Sequence, residues 1–444
     1  MGKFFEILFY LMFMVIFIIM KNVIPNCNKK LYGSVVIPSD KSISHRALMF
    51  ASLAKGKSVI KNCSCANDPL TTFAICRMMG VNLSRSNDGK TIVVTSDGKL
   101  SRPTQFVDCG NSGTTMRILC GILAAQPFNS VLIGDDSLMS RPMKRVIEPL
   151  TLMGANLSAV DYQAPIHIFS AKLHGITYSS DVASAQAKSS ILAAGLLAEG
   201  ETVYTEPSMS RNHTELMLKY MNADIDINGT VTKIRNSEIE PRTINVVGDI
   251  SSAAFFMVAA TIVPGSDVIL QNVGLNPTRT GIIDVLLQMG ADIEILDKRT
   301  ISGELTGDIR IRYAELKGCN IGGELIPRLI DELPIIAVLA TQAEGTTIVT
   351  NAEELRMKET DRIFAIVKEL RKLGADITDT PDGFIVNGKC KLKGAVEVET
   401  FQDHRLAMSL YVAGMVCDQE IVVRNFDWVN ISFPEFEALM NELM

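Results

Sequence analysis

The chain repeats a short phrase at intervals of about 70 residues. Each copy joins the apolar end of a helix to a small residue that can cap it, and a strand follows. One turn of this kind is common, but near-identical copies at a regular spacing indicate a repeated supersecondary unit. The copies are MMGVNL (78–83), LMGANL (152–157), YMNADI (220–225), QMGADI (288–293) and KLGADI (372–377).

A second phrase accompanies the first: an apolar helix end, a turn, and a strand rich in β-branched residues. It begins near Leu53, Leu123, Leu197, Ala260, Ala343 and Val412. Units of two helices and several strands favour an α/β fold of six repeats, three in each of two domains. The length of 444 residues agrees with two or three domains.

The composition excludes several classes of protein. Hydrophobic residues make up 47% of the chain and charged residues 21%, which is typical of a globular protein with a large core. With a formal net charge of −6 and 6% aromatic residues, the chain has no overall positive field for nucleic acid. Its nine cysteines and five histidines lack paired or metal-ligand spacing, so we expect reduced thiols and no metal.

Residues 7–20 form an unbroken apolar run. As a helix the run would reach about 21 Å, short of the roughly 30 Å hydrocarbon core, and no small-residue cleavage site follows. Three interpretations stay open: a non-functional or artefactual extension before a start at Met20, a membrane anchor, and a signal peptide. We treat residues 1–22 as an extension outside the repeated fold.

Three polar loops run directly into apolar helices, beginning at Ser39, Asn111 and Ser184. Small hydroxyl residues at a helix start leave free N–H groups beside the positive end of the helix dipole, which favours phosphate or carboxylate. Plain helix capping is the simpler explanation for any one loop, but three such loops favour a shared anionic ligand. Fixed cations lie near these loops: Lys41, Arg46, Arg117 and Arg141.

The segment 354–362 in the C-terminal half is a denser charged cluster. If this segment opens a helix, Lys358 and Arg362 lie four residues apart on one face, next to Glu359. A solvated face of ion pairs is the alternative interpretation.

Asp331 precedes an apolar run and is a candidate acid or base. Apolar surroundings raise the proton affinity of a carboxylate, which suits proton transfer near neutral pH. His45 and His404 are explained more simply as capping or core histidines.

Eight strings carry a resemblance to a known family: PSDKSISHRALMFASLA, GNSGTTMR, SRPM, SAQAKS, EPSMSRNHTE, IDELPI, EELRMKETDRI and QDHRLAMS. Together, and in this order, they resemble the 3-phosphoshikimate 1-carboxyvinyltransferase, or EPSP synthase, family from about Val23 to the C-terminus. The resemblance implies a two-domain inverse α/β barrel that captures ligands in the cleft between its domains. It also implies a chain crossing, with residues 39–247 in one domain and residues 23–38 plus 248–444 in the other. The hinges would lie near Pro38 and Gly248-Asp249.

The resemblance implies transfer of the enolpyruvyl group of phosphoenolpyruvate to the 5-hydroxyl of shikimate 3-phosphate, in chorismate and aromatic amino acid biosynthesis. No metal or organic cofactor would be needed. Asp331 would be the base, Glu359 would protonate C3, and Lys41 would assist. Shikimate 3-phosphate would contact Lys41, Ser42, Arg46, Ser184, Ala185, Gln186, Arg211, Asp331 and Lys358. Phosphoenolpyruvate would contact Lys41, Asn111, Ser112, Gly113, Thr114, Arg141, Gln186, Arg362 and Arg405.

Two positions deserve comparison with the family pattern. Asn430-Ile431 stand where family members often carry a lysine before the late Ser432-Phe433-Pro434 string. A methyl group at Gly113 would intrude toward the enolpyruvate site, so this glycine suggests a form that is sensitive to glyphosate.

Two alternatives stay open. The sister transferase that acts on UDP-N-acetylglucosamine would share the fold, but it has a Lys-Asn pair where this chain has Lys41-Ser42. The second alternative is an inactive scaffold that is tethered to a membrane. Such a scaffold would have no need to keep buried charged residues such as Asp331 and Arg362, which argues against it. We expect a cytoplasmic monomer whose partners are its two small-molecule substrates.

Overall fold

The computed structural model describes residues 21–444. The interpretations of the apolar run therefore concern residues outside the described range, except for Lys21 and Asn22 at the end of the expected extension. Val23 bridges Val423, so the described chain begins beside its last repeat. Among residues 21–444, no helix combines the length and the apolar character needed to cross a membrane.

The first half of the chain contains three repeats of helices and strands. Its strands are β1 (Tyr32–Val36), β2 (Gly56–Lys61), β3 (Asn82–Arg85), β4 (Ile92–Ser96), β5 (Val107–Asp108), β6 (Ser130–Ile133), β7 (Asn156–Ser158), β8 (Ile166–Phe169), β9 (Thr177–Ser179), β10 (Glu201–Thr205), β11 (Ile225–Asn228), β12 (Val231–Arg235) and β13 (Thr243–Asn245). Its helices are α1 (Lys41–Leu53), α2 (Asn67–Met78), α3 (Gly113–Ala124), α4 (Asp136–Met139), α5 (Lys144–Leu152), α6 (Ala185–Leu197) and α7 (His213–Tyr220). A 3-10 turn spans Val160–Tyr162.

The second half repeats the pattern. Its strands are β14 (Asp267–Gly274), β15 (Asp292–Ile301), β16 (Glu304–Arg312), β17 (Asn320–Ile321), β18 (Gly345–Val349), β19 (Ile377–Thr380), β20 (Gly383–Gly388), β21 (Glu397–Glu399) and β22 (Val422–Arg424). Its helices are α8 (Ile250–Ile262), α9 (Gly281–Gln288), α10 (Ile326–Leu329), α11 (Leu333–Thr341), α12 (Arg362–Lys372), α13 (His404–Gly414) and α14 (Phe436–Leu443). The 3-10 turns are Gly323–Leu325, Glu353–Met357 and Phe426–Ile431.

Each complete unit forms one four-stranded sheet with a fixed pairing. In the sheet β9-β10-β12-β11, β9 is parallel to β10. Strand β12 lies between β10 and β11 and is antiparallel to both. Within residues 21–444, five sheets share this spatial arrangement, although in β13-β2-β4-β3 the parallel edge strand β13 comes last in the chain instead of first. The sixth sheet, β21-β22, has two strands. The six-repeat α/β fold is thus confirmed, with a smaller sheet in the last described unit.

The repeated phrase is a helix C-cap. In each of the five copies the small residue is left-handed, with φ of 85° at Gly80, 91° at Gly154, 65° at Asn222, 96° at Gly290 and 83° at Gly374. The next residue donates its N–H back across the last turn of the helix, as Ala291 does to Leu286 (2.9 Å). Such a turn satisfies helix carbonyls and is favoured by glycine or asparagine, which explains the regular phrase.

Two apolar cores divide the described chain. One contains buried residues between Ile43 and Val247, and the other contains Val23, Leu31, Val35 and Ile37 together with residues from Ile250 to Leu443. β1 pairs in parallel with β14, although more than half of the chain separates them. Ser39 and Gly248 bridge each other where the chain passes between the cores. Membership of the cores changes between Ile37 and Ile43 and again between Val247 and Ile250.

Candidate active site

Three helices begin next to the proposed ligand residues, and each has a side-chain cap. Asp40 accepts from the Ile43 N–H (2.8 Å) at α1, Ser112 from Thr115 (3.2 Å) at α3, and Ser184 from Ala187 (3.5 Å) at α6. The predicted capping is confirmed at all three starts. Ser112 is buried and its hydroxyl is engaged in its own cap, whereas Ser184 is partly exposed.

Arg46 lies behind the start of α1 and is buried. Its guanidinium donates to Thr214 Oγ1 (2.7 Å), to Ser189 Oγ (2.7 Å) and to the carbonyl oxygen of Ser42 (2.9 Å). Burial lowers the pKa of Arg46 to about 10. The guanidinium therefore remains cationic at neutral pH. Arg46 therefore fixes the first turn of α1 against α6 and α7.

Arg117 connects the starts of α3 and α6. It donates to Gln186 Oε1 (2.7 Å), and the amide nitrogen of Gln186 donates to Thr114 Oγ1 (3.1 Å). Burial lowers the pKa of Arg117 to about 10, and the nearby Arg141 cation adds to the effect. Within residues 21–444, no carboxylate lies within ion-pair distance of Arg117, so the charge of this partly buried cation has no ionised partner there.

Arg362 is the centre of the charged cluster in the second half. Its guanidinium contacts Asp403 (2.7 Å), Glu359 (2.6 Å) and Asp331 (3.2 Å), and its side chain is almost fully buried. These three carboxylates raise the pKa of Arg362 despite its burial. One rigid fork thus holds the two candidate proton-transfer groups side by side.

Ion pairs join the two halves of the chain over this cluster. Arg211 donates to Asp331 (2.5 Å), and Arg141 lies 3.7 Å from Glu359. Arg141 also donates to the side-chain oxygen of Asn111 (3.1 Å). The residues that the two halves contribute therefore meet in a common cleft.

The remaining cations extend the same site. Lys41 pairs with Asp68 (3.0 Å), and Lys358 lies 3.7 Å from Asp331. The backbone N–H of Arg405 donates to the Asp403 carboxylate (2.7 Å), and its guanidinium donates to the Ser251 carbonyl oxygen (3.3 Å). Its Nε is buried without a partner among the described residues, which leaves a donor for a ligand.

The sequence predicted a raised pKa for the Asp331 carboxyl, and this prediction is wrong. Burial acts to raise the pKa of Asp331, but Arg211 and then Lys358, Arg405 and Arg362 hold it well below its usual range. The apolar run that motivated the expectation forms α11 and packs into the core, whereas the carboxylate itself is surrounded by cations.

Glu359 behaves in the same way. Burial acts to raise its pKa, but Arg362 and, more weakly, Arg141 and Lys41 hold it well below the usual range. Both carboxylates are therefore ionised before any anionic ligand binds.

One local prediction is also corrected. The segment 354–362 does not open one helix, because Glu353–Met357 is a 3-10 turn and α12 begins only at Arg362, capped by Asp361. Lys358 has an extended backbone, so it and Arg362 do not share a helix face. They meet through their common contact with Asp331 instead.

Sequence reasoning missed several members of the cluster. Asp68 and Asp403 were not selected, although they pair with Lys41 and Arg362. Arg117 was noted only as a nearby cation. His404 was assigned to a cap or core, and it is indeed buried, with burial and then Lys41 holding its pKa well below the usual range. The DHR string at the start of α13 was the available signal for Asp403 and His404.

Among residues 21–444, no group of three histidine, cysteine or acidic side chains has the arrangement of a metal site. The late departure from the family pattern lies in the turn Phe426–Ile431, where Ile431 is buried.

The fold and the cluster together indicate a two-domain α/β enzyme with a charged site of cations and carboxylates where its two halves meet. The family model of EPSP synthase (3-phosphoshikimate 1-carboxyvinyltransferase) matches residues 25–440. The chain is 49% identical over 416 residues to the 3-phosphoshikimate 1-carboxyvinyltransferase of Geotalea uraniireducens, covering 93% of this chain and 96% of the relative. The enzyme of the same name from Bacillus licheniformis is 49% identical over 409 residues, covering 91% and 96%. The solved EPSP synthase of Acinetobacter baumannii superimposes with a TM-score of 0.85 at 41% identity, covering 95% of this chain and 98% of that one.

The chain therefore belongs to the EPSP synthase family.

Proposed function

We propose that this protein transfers the enolpyruvyl group of phosphoenolpyruvate to the 5-hydroxyl of shikimate 3-phosphate and releases phosphate. The observation that carries the proposal is the position of Arg362, which contacts Asp331 and Glu359 with one guanidinium. The reaction needs one group to remove a proton and another to supply one, a short distance apart. These two carboxylates meet that need.

The proposed roles follow the chemistry of the addition step. The 5-hydroxyl gives its proton to Asp331 as its oxygen attacks C2, while C3 takes a proton from Glu359 with the help of Lys41. The tetrahedral adduct then loses phosphate, C3 returns a proton, and the enol ether forms. Arg211 reaches Asp331 (2.5 Å) from the other half of the chain, which supports a substrate hydroxyl bound where the halves meet.

Substrate charge explains how Glu359 could act as an acid. In the ligand-free site Arg362, Arg141 and Lys41 favour its ionised form. Two phosphates and two carboxylates entering the cleft would neutralise those cations, so the pKa of Glu359 would rise on binding. We propose that phosphoenolpyruvate lies among Lys41, Asn111, Ser112, Gly113, Thr114, Arg141, Gln186, Arg362 and Arg405. We propose that shikimate 3-phosphate lies among Lys41, Ser42, Arg46, Ser184, Ala185, Gln186, Arg211, Asp331 and Lys358.

Phosphate release with the two substrates, each alone and together, tests the proposal. We expect release only with both, from the full-length chain and from a chain begun at Met20. Lys41→Met should reduce release by about 100-fold or more because it removes a cation from the reacting centre. A folded protein that releases no phosphate with both substrates would contradict the proposal.

The acceptor is tested in the same assay. UDP-N-acetylglucosamine in place of shikimate 3-phosphate should give no release above background. Release with that acceptor alone would assign the chain to the sister reaction.

We further propose that the enzyme acts as a monomer in the cytoplasm. All nine cysteines lie within the described residues and none forms a disulfide, which supports a reducing compartment. Light scattering would measure the oligomeric state. Sedimentation with membranes, compared between the full-length chain and the chain begun at Met20, would measure any tethering by the apolar run.

A further inference from the structure

Arg279 lies at the crossing of the chain and is among the largest fully buried side chains. It follows β14 in the segment before α9, away from the proposed substrate contacts. Its guanidinium donates to Asp40 (3.1 Å), Asp249 (3.1 Å), Ser251 Oγ (2.6 Å) and the Nε2 atom of His213 (3.2 Å). A buried cation with four partners from three distant segments is costly to assemble unless all of its contacts are kept.

The two carboxylates held by Arg279 cap the helices that follow the two crossings. Asp40 caps α1, and Asp249 caps α8 through the Ser251 N–H (2.9 Å). Asp249 also accepts from the Lys41 N–H at 3.4 Å. One guanidinium thus ties together both connections between the two cores. The first residue of α1, directly after Asp40 in the chain, is Lys41.

A second arm of the network leads toward Arg211. An arginine can only donate, so Nε2 of His213 accepts from Arg279 and the ring hydrogen is on Nδ1. Nδ1 then donates to Glu304 (2.6 Å) on β16. His213 begins α7, two residues after Arg211, so Arg279 also fixes the segment that carries this cross-domain contact.

We propose that Arg279 is a positioning residue that locks the crossing and thereby sets Lys41 and Arg211 for the reaction. The inference rests on the proposed function, since Lys41 and Arg211 take their roles from it. Arg279 touches neither proposed substrate, so its contribution should be to alignment.

The test compares Arg279→Met, Arg279→Lys and Arg310→Met in the full-length protein. Arg310 is a control for the residue type: it makes a bidentate pair with Asp267 in the same repeat, but it is partly exposed to solvent and lies away from the crossing. Two readouts are measured: steady-state kinetics with both substrates, and amide hydrogen exchange of ligand-free protein over residues 39–46 and 247–254.

We expect Arg279→Met to lower kcat by about 100-fold, since a displacement of about 1 Å can cost that much, with a smaller change in either KM. Exchange should become faster in both segments. Arg279→Lys should recover about tenfold of the lost kcat, because an ammonium keeps the charge but cannot reproduce the planar fork. Arg310→Met should match the wild type in both readouts.

A kcat within about threefold of wild type for Arg279→Met would overturn the proposal. So would a lower kcat without faster exchange at the crossing, or an equal loss in Arg310→Met. If Arg279→Met does not fold, Arg279→Lys decides by the same two readouts. If the wild type shows no enolpyruvyl transfer, the proposed function fails, while the exchange data still judge whether Arg279 locks the crossing.

Discussion

At the scale of single residues, the cleft is governed by the pairing of buried charges. Arg362 holds Asp331 and Glu359, while Arg117 has no carboxylate within ion-pair distance among residues 21–444. Gly113 lies where these charges crowd together. A Cβ placed on it would come within 2.5 Å of the Arg117 guanidinium and 3.5 Å of that of Arg141. The absence of a side chain at Gly113 therefore leaves the space that the Arg117 guanidinium occupies.

Gly113→Ala should raise the KM for phosphoenolpyruvate by about tenfold, because one methyl group displaces the Arg117 guanidinium. Inhibition by glyphosate should weaken in parallel. The KM for shikimate 3-phosphate is the internal control and should stay within about twofold of wild type. Steady-state kinetics measure all three quantities. Unchanged inhibition would remove Gly113 from the pocket.

At the scale of elements, one helix in each of five units ends in the same way. Four of the five caps use glycine and one uses Asn222, which tolerates the left-handed conformation better than most residues. The cap turns the chain sharply from a helix into the third strand of a sheet. At Gly290 a Cβ would meet only the Glu315 carbonyl oxygen, at 3.6 Å, which is ordinary contact. A substitution there tests backbone conformation without a clash.

Gly290→Ala should lower the free energy of unfolding by about 1 kcal/mol, the cost of a left-handed L-residue. Gly290→Asn should cost less than half of that, since asparagine adopts this conformation more readily. Urea unfolding of the two variants beside the wild type makes the comparison. Equal losses for alanine and asparagine would show that backbone strain is not the cause.

At the scale of the whole molecule, two cores meet at the charged cluster, and β1 from the start of the chain belongs to the second core. The contacts between the halves differ in exposure: the pair of Arg211 and Asp331 is mostly buried, while the pair of Arg145 and Glu354 is exposed to solvent. Exposed ion pairs contribute little because water screens them. The buried pair should therefore matter more to substrate binding.

Arg211→Met should lower kcat/KM for shikimate 3-phosphate by about 30- to 100-fold, the loss expected for a charge-assisted hydrogen bond. Arg145→Met removes a cation of the same type from an exposed cross-domain pair and should lower kcat/KM by less than about fivefold. Initial rates at varied shikimate 3-phosphate provide both values. Equal effects would contradict a binding role specific to Arg211.

Much of the fold could be predicted because it depends on local signals. The capping phrases located the helix ends, and hydroxyl or acidic residues located the starts of α1, α3 and α6. These signals depend on residues within about one helical turn of each other, so they can be recognised in the sequence without knowing which distant residues come into contact. The same locality explains one error: the acidic and basic residues before Arg362 resembled a helix start, but the helix begins only after the Asp361 cap.

The sequence by itself determined the six repeats, the helix caps and the identity of the charged residues in the cleft. Only the tertiary structure decided which charges meet. Asp331 has Arg211 and Arg362 as partners from segments far along the chain, and they reverse the pKa direction expected from its apolar neighbours. Likewise, no sequence pattern around Arg279 predicted a role for it, yet it forms ion pairs with both Asp40 and Asp249. Electrostatic interactions depend on distance in space and on burial, and the chain crossing sets both.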